Sequence, residues 1–162
     1  MGMKHFKQPR NYGCGLYSLA NAIQDDRVIN EERMTLSVEG NNPGQLTQWL
    51  CESGLKAYIQ TISYNNGRVV SLFDLDLQFD GEYDDVLWYP FFITVKSSAE
   101  KTHMIGCRHM RDGSIIVHDS LMDEPMAFSH FENFKAAYKG RVVAFEMLRM
   151  LEDNRAVCFI RK

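Results

Sequence analysis

A chain of 162 residues that is 45% hydrophobic and 24% charged is long enough to bury a core without metal or disulfide staples, and its composition excludes wholesale disorder. A net charge of −3 gives no electrostatic reason to bind nucleic acid or an anionic membrane surface. No repeat, low-complexity tract or Pro/Gly/Ser linker divides the sequence, so a single domain over 1–162 is expected. The opening MGMKHFKQPRN has no apolar h-region and no later stretch is long enough to span a bilayer, so neither secretion nor membrane insertion is expected. The cysteines at 14, 51, 107 and 158 form no CxxC pair and read as free thiols in a reducing, cytoplasmic setting.

In QPRNYGCGLYSLANAI, residues 8–23, the apolar positions Leu16, Leu19, Ala20 and Ile23 fall at helical spacing, which predicts a helix from about 14 to 25. Cys14 then begins that helix between two glycines, where unpaired N–H groups and the helix dipole favour a thiolate. The flanking glycines read as an open approach for a substrate backbone. A second helix is signalled by NNPGQLTQWLCESGL: Asn42 as cap, Pro43 at the first turn, Leu46, Trp49 and Leu50 as the apolar face, Gly54 as the stop. Cys51 reads as packing beside Leu50.

From Leu55 the pattern turns β-like, with KAYIQTI and RVVSLF flanking the turn NNG. DLDLQFDGEYDD, residues 74–85, reads as an exposed edge strand or solvated loop, its glycine coming too late for a calcium loop. VLWYPFFITVK is a buried strand, and HMIGCRHM and SIIVHDS form a hairpin around RDG. SHFE, 129–132, is a capping box opening a short helix through Phe131, Phe134 and Tyr138. RVVAFEML and AVCFIR read as two last strands. The expected class is α+β, helices first and an antiparallel sheet after.

A thiolate nucleophile needs a base, and histidine has the suitable pKa. Of the five histidines, His5 and His130 read as surface residues, while His103, His109 and His118 lie on the hairpin. Pairing about the RDG turn sets His103 opposite Asp119, which supplies a base and an acceptor to orient it. Gln8, six residues before Cys14, has a side-chain amide that can join the Cys14 N–H in an oxyanion hole.

These segments together resemble the papain-like cysteine peptidases, most closely the double-glycine leader peptidases that process bacteriocin precursors. The likeness rests on QPRNYGCGLYSLANAI, PGQLTQWLCESGLKA and HMIGCRHMRDGSIIVHDS, and covers about residues 7–135. It implies a papain-like fold and a peptide or protein substrate cleaved through an acyl-enzyme on Cys14. It further implies His103 as general base and acid, Asp119 as orienter, Gln8 in the oxyanion hole, and no cofactor. Two departures concern the subfamily: Gly13 stands where an acidic residue is common, and Ser120 where a proline usually follows the aspartate.

Two other readings compete. The fold could serve as a binding or structural component of a larger assembly with Cys14 idle. Alternatively His103, Cys107 and His109, which share one pleat face, could contribute to a metal site, although no fourth ligand is evident and Cys107 reads more simply as core.

Overall fold

The stripe of Leu16, Leu19, Ala20 and Ile23 becomes the buried face of a helix, α1 (Cys14–Ile23), each of the four 3% exposed or less. In the computed structural model, the described residues are 4–38, 40–73, 75, 87–96 and 101–150. α1 stops two residues short of expectation, because Gln24 takes a left-handed conformation (φ 58°) and closes the last turn. α3 (Pro43–Glu52) starts as its sequence specifies, with the Asn42 side chain accepting from Gln45 N at 2.9 Å, and ends at Ser53. Between them lies α2 (Glu31–Leu36), capped by Asn30, whose side chain accepts from Arg33 N at 2.8 Å. The buried Arg33 joins α2 to the end of α3, donating to Ser53 Oγ at 2.9 Å and pairing with Glu52 at 3.2 Å.

Among the described residues six strands form one antiparallel sheet: β1 (Ala57–Tyr64), β2 (Trp88–Lys96), β3 (Thr102–Met110), β4 (Ile115–His118), β5 (Met126–Phe128) and β6 (Val142–Met150). Their spatial order is β1-β6-β2-β3-β4-β5, so β6 inserts between β1 and β2. The class is therefore α+β, as expected. RVVSLF is not a strand; it is irregular, tied to the sheet by Val70 N donating to Val142 O at 2.8 Å. The expected edge strand or loop at 74–85 (apart from Leu75) and the AVCFIR strand lie outside the described residues.

Period-two alternation divides the core between the two faces of the sheet. Phe92, Met104 and Leu148 meet Leu16, Leu19, Trp49 and Leu50 on the side of α1 and α3. Phe91, Ile105, Cys107 and Phe145 meet Phe134 of α4 (Phe131–Tyr138) on the other. Consecutive residues Phe91 and Phe92 thus anchor opposite layers, each buried aromatic contributing about 1.5–3 kcal/mol of transfer free energy. α4 begins one residue later than the capping box implies: His130 is its cap, with no side-chain capping bond.

Candidate active site

Cys14 is the first residue of α1, as expected, but the glycines beside it serve the fold's own packing. Gly13, the cap, has φ +93°, a conformation costly for any residue with a Cβ. A Cβ on Gly15 would stand 2.9 Å from Asn41 Oδ1, so the loop before α3 closes directly over the helix start. Cys14 is anchored by the fully buried Ser18, whose hydroxyl faces two carbonyls, Cys14 O at 2.6 Å and Met104 O at 2.9 Å. That contact requires Gly106, because a Cβ there would lie 2.3 Å from Ser18 O. α1 therefore rides directly on β3, beside His103.

His103 Nε2 lies 2.7 Å from Asp119 Oδ1, and Cys14 hydrogen-bonds the same ring, which leaves Nδ1 to face the thiol. His103 and Asp119, the expected base and orienter, thus meet, but not as a directly opposed pair. The ladder sets Gly106 against His118, a register two residues away from the expected one, and Asp119 reaches His103 diagonally from just beyond β4. Leu121 N donates to the same Asp119 oxygen at 3.0 Å and fixes the carboxylate.

The charges are mutually dependent. Burial pushes the Cys14 thiol up, but the His103 hydrogen bond, the backbone N–H groups of Met104 and Gly15, and the imidazolium charge outweigh it and hold the thiol below its usual value. Burial disfavours protonated His103, yet Asp119 and Cys14 together raise it to about 9. Burial also opposes ionisation of Asp119, and its bonds to His103 and Leu121 N still bring it below the usual carboxylate range. These contacts favour a thiolate facing an imidazolium over the neutral pair.

Gln8 is 4% exposed and sits beside the Asp119 corner, its N–H donating to Ser120 O at 2.8 Å. Its amide hydrogens go to Arg10 O (2.8 Å) and Tyr12 O (3.3 Å), while its oxygen accepts from Ser120 Oγ. Gln8 therefore braces the loop that leads into Cys14, and donation to an oxyanion requires one of those two bonds to open. His5, expected at the surface, instead stacks on buried His118 with ring centres 5.3 Å apart. His118 in turn accepts from Arg108 Nε at 3.2 Å.

Cys14 lies where two arms of a cleft meet. One arm, about 500 Å³, is walled by Tyr12, Gly13, Ser37 and Lys101. The other, about 380 Å³, is walled by Asn41, Leu46, Thr94, Met104 and Glu146. Sequence reasoning missed Ser18, Asn41 and Glu146. Glu146 had a visible signal, an acidic residue inside the apolar run VVAFEML, whereas Ser18 and Asn41 had none.

The structure does not bring His103, Cys107 and His109 together as a metal-binding trio. Among the described residues no group of three His, Cys, Asp or Glu side chains is arranged to hold an ion. Cys107 is fully buried in the core and its thiol is raised by desolvation, while His103 is engaged by Asp119 and Cys14. Cys51, expected to pack, is exposed, and Cys158 lies outside the described residues. No helix among the described residues is long and apolar enough to cross a membrane. A scan against protein-family models finds no match, and a search of curated proteins finds none either.

Proposed function

We propose that this protein is a cysteine peptidase of the papain-like type, hydrolysing an amide bond in a peptide or protein substrate. The observation that supports this most is one imidazole shared by two partners: His103 bonds Asp119 through Nε2 at 2.7 Å and serves a thiol at a helix N-terminus through its other nitrogen. A helix bearing the cysteine, packed across an antiparallel sheet bearing the histidine, is also the arrangement of a papain-like fold.

In the proposed reaction the Cys14 thiolate attacks the scissile carbonyl carbon, forming a C–S bond and moving the carbonyl π electrons onto oxygen. The Cys14 N–H at the helix start, one of the four with no partner inside the helix, stabilises the oxyanion, and Gln8 joins it if its amide turns from Tyr12 O. As the C–N bond breaks, His103 Nδ1–H protonates the departing amine. Neutral His103 then takes a proton from water, whose oxygen displaces sulfur from the thioester and restores the ion pair. Asp119 holds the ring in the required tautomer throughout. The thiol must stay reduced for this chemistry, so the reading includes a reducing compartment such as the cytosol.

The test is digestion of a complex peptide library with cleavage products identified by mass spectrometry. New termini produced by the native protein should vanish in Cys14→Ala at an unchanged urea midpoint. Cleavage that persists in Cys14→Ala would remove the nucleophile from the proposal.

A further inference from the structure

Along β6 the side chains at 144, 146 and 148 share the face on which α1 and α3 pack, and Leu148 joins the core there. Glu146 is in the middle of that run, opposed to Thr61 on β1 and Phe92 on β2, and is only 6% exposed. A carboxylate at such a position is expensive, and an isolated one is more so. Thr61 hydrogen-bonds the carboxyl, yet Glu146 Oε2 has no partner among the described residues. Asn41 Oδ1 is a second buried acceptor with none among them.

Both residues line the arm of the cleft that contains Cys14, and both line a further cavity of about 440 Å³ that extends to Tyr64 and Gly67. Pro43, Thr94 and Thr102 also belong to both cavities, so these form one groove leading away from the thiol. Among the described residues lining it, none is basic. Two buried oxygens without a donor among the described residues, one of them a carboxylate oxygen, define what is missing: a group rich in N–H and positively charged. Lysine brings three such donors and arginine five, on stems long enough to reach a buried acceptor from a backbone lying in the groove.

We infer that the groove between Cys14 and Tyr64 is a specificity site in which Glu146 and Asn41 receive a lysine or arginine side chain of the bound peptide. That the ligand is a peptide rests on the proposed function; the preference for a cation rests on the two acceptors. Burial raises the free Glu146 carboxyl above its usual range, and a bound cation reverses that direction.

The experiment measures binding without turnover, on the full chain carrying Cys14→Ala. Acetyl-Ala-Lys-Ala-amide, its arginine counterpart and its norleucine, glutamine and glutamate counterparts are titrated and followed by NMR. The lysine and arginine peptides should bind at least about tenfold tighter than the norleucine peptide, as expected of a charge-assisted hydrogen bond. Glu146→Gln should erase that difference. In protein retaining Glu146, the lysine peptide should also lower the pH at which its carboxyl carbon titrates, a readout that needs no substitution at 146. Equal binding of the lysine and norleucine peptides, a preference for glutamine, or a lysine preference that survives Glu146→Gln would overturn the inference. An unreactive Cys14 in the native protein would instead overturn the peptidase reading, so the two failures are distinct.

Discussion

The Nδ1 atoms of His5 and His118 lie 3.1 Å apart, and for two neutral rings one proton arrangement satisfies every neighbour. Arg108 Nε–H donates to His118 Nε2, so His118 carries its proton on Nδ1 and donates it to His5 Nδ1. His5 is then protonated on Nε2, which donates to Met122 O at 2.8 Å. The chain ties the N-terminal segment to the loop after Asp119, and a further proton on either ring would turn one N–H against another.

Burial, then the Arg108 charge, depress His118 from 6.5 to about 3. Between those values the unfolded chain binds more protons here than the native one, so stability should fall as pH drops from 6.5 toward 3. The slope from this one residue is at most about 1.4 kcal/mol per pH unit. Urea midpoints across that range, compared with those of His118→Asn, should show a weaker acid dependence in the variant.

Peptide hydrolysis should follow a bell-shaped pH profile whose upper limb falls near 9, where His103 loses its proton. The lower limb should lie below the ordinary thiol range, reporting Cys14 ionisation. Asp119→Ala should move the upper limb downward and reduce kcat/KM by about a hundredfold, the low end of general acid–base contributions. An unmoved upper limb would mean that Asp119 does not raise His103.

Gly106→Ala should both destabilise and inactivate, because its Cβ meets the backbone of Ser18 at 2.3 Å and must separate α1 from β3. Overpacking against backbone of this kind costs about 1–3 kcal/mol. Ser18→Ala creates no clash but removes the one hydroxyl proton that the Cys14 and Met104 carbonyls share, at a cost of about 0.5–1.5 kcal/mol. Thermal unfolding of both variants checks the stabilities, and library cleavage checks the activity.

Gln8→Ala separates two roles. As an oxyanion donor, Gln8 contributes about a hundredfold or more to kcat, and the affinity of a peptide aldehyde for Cys14 should drop in parallel. As a brace alone, its loss should lower the melting temperature through the bonds to Arg10, Tyr12 and Ser120 and leave aldehyde affinity intact.

The candidate triad was legible because each member announced itself locally: a cysteine at a helix start, a histidine and an aspartate on the two arms of a hairpin with a strong turn. The hairpin's register was not. Met110 N donating to Ser114 O puts the ladder two residues away from the expected pairing, and a diagonal reach restores the contact. α2 carried the ordinary signals of an Asn30 cap and Glu31 and Glu32 in the first turn, but with six residues it offers little periodicity. RVVSLF had strand composition and lost its place because β6, arriving from beyond α4, occupies the edge of β2 and pairs with β1. Glu146 belongs to that same long-range pairing, which no local pattern encodes.

The most direct measurement is the pH dependence of iodoacetamide alkylation at Cys14, read by peptide mass spectrometry on the native protein and on His103→Ala, with exposed Cys51 as the reference thiol. Cys14 is predicted to react at lower pH than Cys51 and to lose that advantage without His103. Cys14 reacting in step with Cys51, or keeping its advantage in His103→Ala, would contradict that prediction.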